Sequence, residues 1–390
     1  MHIALVSPSF LPSVGGLEWK IHHLASEYTR RGHVVDVFAG RDRIRIRSVP
    51  LPVTPNYAVH WCGWPLPGTG RLGLTQASFR RAILRRHRDQ RFDVLHCHHL
   101  GMPTSFGLAV KSSTGVPVVA TTCGGDVQVL PAIGYGDRLQ PRFDRMVRDN
   151  VCRVDVIGSV SRAMRVELEK IGATARIVDI PNGVDWQRFQ GGPADRLHRQ
   201  LGLADRTLIV LSVGRNQPVK GYELGLRAFA RVSPRFPLAV YVLIGRDMAR
   251  LEPLVRELAL AGRARLLEQA PADEVPLLFR SADVFFSPSL MEGFSQVNAQ
   301  ALACGRPCVL TDAPGNGDAG LDGGAVIARS GDVESMAEAL GLLLSDEARR
   351  RTLAGEAHRA GRRYAWTRIA DEYLKVFQEL PSTQIPRRSP

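Results

Sequence analysis

The chain has 390 residues, of which 44% are hydrophobic and 23% charged, and this composition is typical of a globular protein with a large core. Its net charge of +13 comes mostly from arginine, and such a bias alone does not distinguish nucleic acid, a membrane surface or a phosphorylated substrate as the partner. Six cysteines without a C-x-x-C pair indicate neither a disulfide framework nor a zinc knuckle. The first residues lack a signal peptide's features, and no apolar run approaches the roughly 18 residues of a membrane span, so we expect a cytoplasmic protein.

The first half of the chain alternates apolar strands with an amphipathic helix. A short strand at the N-terminus leads through a loop to a helix over 17–32, whose apolar residues recur at helical spacing. Gly32 is suited to end this helix, and a strand follows over 33–40. Further continuous apolar runs, typical of buried parallel strands, cover residues 92–100, 116–125, 154–161 and 175–184.

The same alternation restarts near residue 181. Strands are predicted over 207–214, 238–245, 264–268, 283–289 and 306–312, and helices over 222–234, 248–262, 272–282 and 296–304. This pattern predicts an α/β protein with two Rossmann-like doubly wound domains, 1–180 and 181–365, that face each other across a ligand-binding cleft. A C-terminal helix over 366–380 could pack back on the first domain, and 381–390 is predicted to be a frayed tail.

A loop with two cations follows the first strand of the second domain. Arg215 and Lys220 lie five residues apart between Gly214 and Gly221, at the carboxyl end of a strand. Two cations beside closely approaching backbone suit a diphosphate, although the spacing is not that of a Walker A loop. A basic surface turn is the alternative interpretation.

The stretch Ser287–Gly305 forms a second strand-to-helix junction. Glu292 ends an apolar strand, and Ser295 is placed to cap the following helix, whose free N–H groups offer another anion site. A carboxylate beside such a site is suited to accept hydrogen bonds from sugar hydroxyls. The alternative is that Glu292 only caps the helix.

Three other motifs carry weaker signals. Gly15 and Gly16 precede the first helix, where the backbone can approach a ligand. The "HCHH" stretch puts His96 and His98 on one strand face, yet no acidic or cysteine partner is spaced with them for a metal. The glycines of "PGNGDAG" fit G-x-G-x-x-G, but a loop and strand follow instead of the helix that a dinucleotide site needs.

A basic helix is predicted over Phe79–Arg91. Its default interpretation is a solvated helix face, and a contact with a membrane surface or an acidic partner is the alternative. The basic residues show neither a recognition helix nor an aromatic stacking pattern, so nucleic acid is not an expected partner.

The ordered set of motifs resembles the retaining, nucleotide-sugar-dependent glycosyltransferases of the GT-B fold, family 4 (glycosyl transferases group 1). The resemblance spans nearly the whole chain, from "GGLE" and "DVLHCHH" through "IPNGVDWQRF" and "VGRNQPVKG" to "SADVFFSPSLMEGF" and "ALACGRPCVLTD". Each motif taken alone is only weakly specific for the family, but the set of motifs in this order is highly specific.

The resemblance implies roles for particular residues. Arg215 and Lys220 would hold the donor diphosphate, and Glu292 would bind the transferred sugar. The implied catalytic set is Arg215, Lys220, Glu292, Asp126 and Cys123. The implied donor-binding set is Gly15, Gly16, Gly214, Gly245, Phe294, Ser295, Gln296, Val297 and Gln300, and His98 and Thr122 lie on the acceptor side. No metal or cofactor is implied, because the cations stabilise the leaving group.

Two positions depart from the family pattern. Gln300 stands where the family has a second glutamate, and an amide accepts a ribose hydroxyl more weakly than a carboxylate does. Cys123 stands where the family often has a histidine near the reaction centre, so Asp126 or Thr122 would have to take its role, or catalysis is impaired.

The sequence therefore predicts a metal-independent, retaining hexosyltransferase. It would use a nucleoside-diphosphate sugar and a glycan, lipid or small-molecule acceptor, and it would be cytoplasmic, with a peripheral membrane contact at 79–91 left open. The first domain would bind the acceptor and the second the donor, with the cleft closing around them. Two alternatives are a non-catalytic nucleotide-sugar-binding or scaffold protein, suggested by Cys123 and Gln300, and a glycoside phosphorylase on the same fold.

Overall fold

The chain divides into two compact units. The computed structural model describes residues 1–13, 15–40, 53–63, 72–268, 270–271 and 273–381. The first unit comprises Met1–Asn182 and the C-terminal segment from Trp366 onward, and the second comprises Gly183–Ala365. The chain therefore leaves the first unit after Asn182 and returns to it at Trp366.

The first unit is built on one parallel sheet. Its strands within the described ranges are β1 (His2–Ser7), β2 (Val34–Gly40), β3 (Ala58–Cys62), β4 (Val94–His98), β5 (Val118–Thr121), β6 (Val156–Ser159) and β7 (Arg176–Asp179). Its helices are α1 (Gly16–Arg30), α2 (Leu72–Asp89), α3 (Met102–Thr114), α4 (Pro141–Arg153), α5 (Arg162–Lys170) and the C-terminal helix (Trp366–Gln378). The strand order is β3-β2-β1-β4-β5-β6-β7, and all neighbouring strands are parallel.

The core of the first unit includes the C-terminal helix. Ile369 and Phe377 of that helix are buried in the same cluster as Ile3 and Leu5 of β1. The Tyr373 hydroxyl also lies 3.1 Å from Thr121 Oγ1 at the end of β5. The last helix is thus part of the sheet's own packing, because it covers apolar strand surface that would otherwise face water.

The second unit repeats this plan. Its strands are β8 (Leu208–Val213), β9 (Ala239–Ile244), β10 (Ala264–Leu267), β11 (Val284–Ser287), β12 (Cys308–Thr311) and β13 (Ala325–Ala328). Its helices are α6 (Arg196–Leu201), α7 (Tyr222–Val232), α8 (Glu252–Glu257), α9 (Val275–Arg280), α10 (Gln296–Ala303), α11 (Val333–Ser345) and α12 (Glu347–Gly361). The strands are parallel in the order β10-β9-β8-β11-β12-β13.

Each sheet has one point at which the strand order reverses. In the first unit it lies between β1 and β4, and in the second between β8 and β11. The loops that leave the carboxyl ends of such neighbours turn to opposite faces of the sheet, and ligands of doubly wound sheets bind there. The predicted α/β class with two Rossmann-like doubly wound domains is confirmed.

Several predicted elements differ in length from the observed ones. The helix expected over 248–262 is a 3₁₀ turn followed by the short α8, which ends where Ala259 adopts a positive φ of 53°. After the glycines of "PGNGDAG", a 3₁₀ turn leads into β13, so no helix follows to hold a dinucleotide. No helix in the described part of the chain is long and apolar enough to cross a membrane.

Candidate functional site

The loop after β8 begins at a close approach between two backbones. The Gly214 N–H donates to the Ile244 carbonyl at 2.9 Å, and Gly245 follows directly at the end of β9. A Cβ added to Gly245 would lie 1.9 Å from the Gly214 carbonyl oxygen, so any other residue would push the two loops apart. Both predicted glycine positions therefore lie side by side at the carboxyl edge of the sheet.

Lys220 and Glu292 meet at the reversal point of the second sheet. The Lys220 Nζ lies 2.7 Å from Glu292 Oε1, and the Ser289 hydroxyl donates to the same oxygen at 2.8 Å. Both charged side chains are mostly buried, with 20% of Lys220 and 11% of Glu292 exposed, so water screens this pair less than a surface pair. The sequence predicted both residues as site residues but not their direct ion pair.

Backbone hydrogen bonds fix the two loops that carry this pair. The Leu290 N–H donates to the Val219 carbonyl at 2.8 Å, which joins the loop after β11 to the loop after β8. The Glu292 N–H donates to the Pro314 carbonyl, also at 2.8 Å, which joins it to the loop after β12. Glu292 is therefore held from both sides.

Arg215 lies in the same loop as Lys220 but is exposed. Within the described residues its guanidinium has no hydrogen-bond or ion-pair partner. An exposed guanidinium at the carboxyl end of β8 is available to a phosphate, which it can bind with two parallel hydrogen bonds.

The side-chain cap predicted for the helix after Glu292 is wrong. Ser295 occupies the N-cap position of α10, but its hydroxyl does not accept a helix N–H. It donates instead to Asn298 Oδ1 at 2.9 Å. Among the described residues, the N–H groups of Gln296 and Val297 have no acceptor, so the start of α10 keeps donors for an anion.

A buried asparagine pair supports this junction and was missed in the sequence. Asn298 Nδ2 donates to Asn316 Oδ1 at 2.9 Å, and Asn316 Nδ2 donates to Thr311 Oγ1 at the same distance. The Ser287 hydroxyl donates to Asn316 Oδ1 at 2.8 Å. Asn298 and Asn316 are fully buried, and their amides tie α10 to the ends of β11 and β12.

The other predicted residues of this junction have different exposures. The Phe294 ring is buried against Tyr364, with centroids 5.2 Å apart. Gln296, Val297 and Gln300 are partly exposed along α10. Gln300 has no side-chain hydrogen-bond partner within the described residues.

In the first unit, Gly15 and Gly16 lie where α1 begins. Gly15 is the extended N-cap residue, and a Cβ added to it would lie 2.6 Å from Glu18 Oε2. The Ser9 hydroxyl donates to the other oxygen of this carboxylate at 2.6 Å. Glu18 of "GGLE" was missed as a candidate, and it fixes the loop that precedes the helix.

Asp126 joins the loops that follow β4 and β5. Its buried carboxylate accepts hydrogen bonds from the N–H groups of Leu100 at 2.9 Å, Gly124 at 2.8 Å and Cys123 at 3.0 Å. Thr122 is also buried, and its hydroxyl accepts a hydrogen bond from the Val160 N–H at 3.1 Å. Both side chains therefore have hydrogen-bond partners within the chain.

The histidines at the end of β4 differ in their partners. His96 Nε2 lies 2.7 Å from Thr121 Oγ1, whereas both ring nitrogens of the fully buried His98 lack a hydrogen-bond partner. Burial lowers the pKa of both rings well below 6.5, so they are neutral at physiological pH. No group of three His, Cys, Asp or Glu side chains in the described ranges is placed to hold a metal ion.

Lys20 lies close to these histidines, and Cys123 lies close to Lys20. Burial raises the pKa of the Cys123 thiol far above its usual value, so it is not a thiolate at neutral pH. Lys20 of α1 is only 2% exposed, and its Nζ has no hydrogen-bond partner. Burial lowers the pKa of this ammonium to about 8, although Cys123 and Asp126 act in the opposite direction. No sequence signal beyond the scarcity of lysine pointed to Lys20.

The basic segment Phe79–Arg91 lies largely on α2. Phe79 and Ile83 are buried, and the Phe79 ring stacks on Phe106 with centroids 4.6 Å apart, so these apolar side chains face the core. The outer face forms a groove of about 810 Å³ between α2 and the end of α3. Its lining includes Arg80, Arg81, Leu84, His87, Arg88 and Ser113.

Two family models match consecutive parts of the chain. The model for Glycosyltransferase Family 4 matches residues 14–188, and the model for Glycosyl transferases group 1 matches residues 193–360. A D-inositol 3-phosphate glycosyltransferase of Corynebacterium jeikeium is 29% identical, covering 98% of this chain and 97% of the relative. A phosphatidyl-myo-inositol mannosyltransferase of Mycolicibacterium smegmatis is also 29% identical, covering 99% of this chain and 95% of the relative.

Solved structures share the fold of the whole chain. The sucrose-phosphate synthase of Thermosynechococcus elongatus superposes with a TM-score of 0.80 at 20% identity, covering 97% of this chain and 98% of that one. Anabaena HepE in complex with UDP and glucose superposes with a TM-score of 0.79 at 20% identity, covering 97% and 100% of the two chains. The chain therefore belongs to the group 1 (family 4) glycosyltransferases, with the two Rossmann-like units of the GT-B fold.

Proposed function

We propose that this protein is a retaining hexosyltransferase that moves a sugar from a nucleoside diphosphate to an acceptor hydroxyl. The observation that carries this proposal is the Lys220–Glu292 pair beside the exposed Arg215, at the reversal point of the second sheet. Two cations and one carboxylate beside the carboxyl ends of these strands support the proposal, because doubly wound sheets bind ligands there. The unit that holds them is the part that matches the group 1 glycosyltransferases.

The donor would bind to the second unit through its diphosphate and its sugar. Arg215, Lys220 and the free N–H groups at the start of α10 are suited to the phosphate oxygens. These groups stabilise the negative charge that develops on the leaving diphosphate, so the reaction as proposed needs no metal ion. Glu292 is suited to accept hydrogen bonds from hydroxyls of the transferred sugar, while its other oxygen stays bonded to Lys220.

The transfer would retain the configuration of the sugar. The acceptor oxygen bonds to the anomeric carbon on the face from which the diphosphate leaves, the carbon–oxygen bond to phosphate breaks, and a leaving phosphate oxygen takes the acceptor proton. This route needs no protein nucleophile. Cys123 is not suited to be one, because burial keeps its thiol protonated.

The names of the relatives suggest the acceptor class. One relative is named for D-inositol 3-phosphate and another for phosphatidyl-myo-inositol. We infer that the first unit of this chain binds an acceptor with a polyol ring and a phosphate group, either free or lipid-linked. The protein would act in the cytoplasm.

A screen of purified protein against UDP-, GDP- and ADP-sugars tests the proposed function. One nucleoside diphosphate should raise the melting temperature, because a ligand that binds only the folded state stabilises it, and its sugar should be hydrolysed or transferred. Absence of binding and hydrolysis with every donor would refute the proposal. Binding without turnover would favour a non-catalytic binding protein, and competition by inorganic phosphate instead of UDP would favour a phosphorylase.

A peripheral contact with anionic lipid is a further part of the proposal. It rests on the arginines of the groove on α2, because the apolar side chains Phe79 and Ile83 are buried and cannot insert into a bilayer. In a flotation assay with vesicles that contain anionic lipid, Arg81→Glu and Arg88→Glu together should abolish binding. Arg153, which is exposed on α4, gives the control Arg153→Glu. Equal flotation of wild type, the double variant and this control would exclude the α2 groove as the lipid contact.

A further inference from the structure

Lys20 is a buried cation without a partner in the first unit. It lies one turn into α1, with 2% of its surface exposed, and its Nζ makes no hydrogen bond to any described residue. Lysine is almost never fully buried unless it is paired, because its charge loses the hydration that water supplies. The chain has only five lysines, so a lysine in this position is not explained by composition.

The negative groups near Lys20 already have other partners. Asp126 accepts from three backbone N–H groups, and Glu18 accepts from Ser9. The Cys123 thiol is protonated because burial raises its pKa. The ammonium is therefore left without a hydrogen-bond acceptor among the described residues.

His98 shows the same deficit beside Lys20. Both of its ring nitrogens are buried without a partner, and the charge of Lys20 contributes to the low pKa of the ring. A neutral imidazole always has one N–H to donate. Buried polar atoms nearly always have partners in folded proteins, so two neighbouring side chains with none indicate a missing ligand.

The position of these side chains indicates where the ligand would enter. His98 ends β4, and Cys123 and Gly125, which are partly exposed, follow β5. They lie at the carboxyl edge of the first sheet, beside the reversal point between β1 and β4. A ligand that reaches Cys123 can meet the ammonium, because the four-carbon stem of lysine can change its rotamer.

We propose that Lys20 and His98 form an anion site in the first unit that binds the phosphate group of the acceptor. This inference rests on the proposed function. The phosphate is that of the acceptor, because the donor diphosphate has its own cations, Arg215 and Lys220, in the second unit. The ammonium of Lys20 and the N–H of His98 then gain the acceptors that the protein does not supply.

The variant Lys20→Met separates this role from a structural one. Methionine has a similar length and no charge, and replacing a buried unpaired charge with an apolar group should stabilise the fold. We expect an unchanged or higher melting temperature, together with about 10- to 100-fold weaker binding of the phosphorylated acceptor. His98→Phe, which removes the ring nitrogens, should weaken binding in the same direction. Lys170→Met removes an exposed lysine and serves as the matched control.

Calorimetric titration of the full chain with D-inositol 3-phosphate, inositol and a nucleoside diphosphate distinguishes the outcomes. The proposal requires that wild type binds the phosphorylated probe more tightly than inositol, and that both variants lose this difference while keeping nucleotide affinity. It is overturned if wild type gains nothing from the phosphate, or if Lys20→Met binds the phosphorylated probe as wild type does. Loss of nucleotide affinity in Lys20→Met would assign the site to the donor and also overturn it. If the proposed function itself is wrong, the wild-type protein binds no nucleotide, and this result is distinct from the outcomes above.

Discussion

The Lys220–Glu292 ion pair gives each of its members a fixed position before any substrate binds. Lysine has three N–H donors, so Lys220 can keep its 2.7 Å contact with Glu292 and still bind a phosphate oxygen. Glu292 likewise keeps acceptor capacity beyond its bonds to Lys220 and Ser289. The pair therefore pre-organises both groups, which reduces the cost of ordering them in the transition state.

Replacement of Glu292 tests this arrangement at the level of one residue. Glu292→Gln keeps the shape but removes the charge, so we expect the rate of sugar transfer to fall about 10²- to 10³-fold. Affinity for the nucleoside diphosphate should change little, because the cations remain. Steady-state kinetics and nucleotide titration measure the two effects. The control is Glu274→Gln. Glu274 lies at the start of α9, and the substitution removes its ion pair with Arg196. Equal losses of transfer rate in both variants would contradict the role of Glu292.

The two departures from the family pattern have different structural settings. Gln300 is partly exposed on α10 with an uncommitted amide, so it is free to contact a ligand. Cys123 lies beside an unpartnered cation, and its own thiol is protonated. The position at which the family pattern has a histidine is thus next to the charge of Lys20, which no motif predicted.

At the scale of elements, Asp36 holds the first three strands and α2 together. Its fully buried carboxylate lies 2.5 Å from His2 Nε2 of β1 and 2.5 Å from His60 Nε2 of β3. Arg86 of α2 donates to both of its oxygens at 3.2 Å. Burial alone would raise the pKa of Asp36, but the hydrogen bonds from His2, His60 and Arg86 hold it well below the usual value of 3.8.

This lowered pKa predicts a dependence of stability on acid. Since the pKa of Asp36 is lower in the folded than in the unfolded chain, its charge stabilises the fold above the unfolded pKa of about 3.9, and that contribution is lost as the pH falls below it. Asp36→Asn should lower the free energy of unfolding at pH 7 by about 3 kcal/mol and flatten its fall as the pH drops from about 5 to about 2. Urea denaturation across this range measures both effects. Asp371, an exposed carboxylate paired with Arg31, gives the control Asp371→Asn. An equal slope of stability against pH in wild type and Asp36→Asn would contradict the prediction.

The elements and part of the site could be predicted because they depend on local pattern. Buried parallel strands are continuous apolar runs, and residues that follow neighbouring strands must share one edge of the sheet, which is why Lys220 and Glu292 were expected together. The Asn298–Asn316 pair could not be predicted, because its members are 18 residues apart and meet only after α10 and β12 have packed. Ser295 was misassigned for a local reason, because its hydroxyl donates to Asn298 three residues later and does not accept a helix N–H. The burial of Lys20 likewise depends on the packing of α1 against β1, β2 and the C-terminal helix.

At the scale of the whole molecule, the two units differ in how the chain builds them. The second is one continuous segment, Gly183–Ala365, whereas the first needs the C-terminal helix from a distant part of the sequence. Trp366, Ile369, Tyr373 and Phe377 of that helix are buried in the first unit's core. Each such side chain contributes about 1.5–3 kcal/mol on burial, which is a large share of a domain's stability.

Fragments of the chain should therefore behave unequally. The segment 183–365 should fold alone and bind the nucleoside diphosphate, because its core is complete. The segment 1–182 should show low thermal cooperativity and expose apolar surface, and a fusion of residues 366–381 to its C-terminus through a flexible linker should restore cooperative unfolding. Calorimetry of the three proteins tests this expectation, and a cooperative, stable 1–182 fragment would contradict it.

The return of the chain at Trp366 also sets an order for folding during synthesis. Domains generally fold as units while the ribosome is still working, with the N-terminal one first. Here the N-terminal unit is translated first but lacks its last core helix until the residues after Ala365 have been made, so the second unit can reach its native state earlier. A nascent chain that stalls before residue 366 would carry a folded second unit attached to a first unit that lacks its last helix, which is the state that chaperones would have to protect.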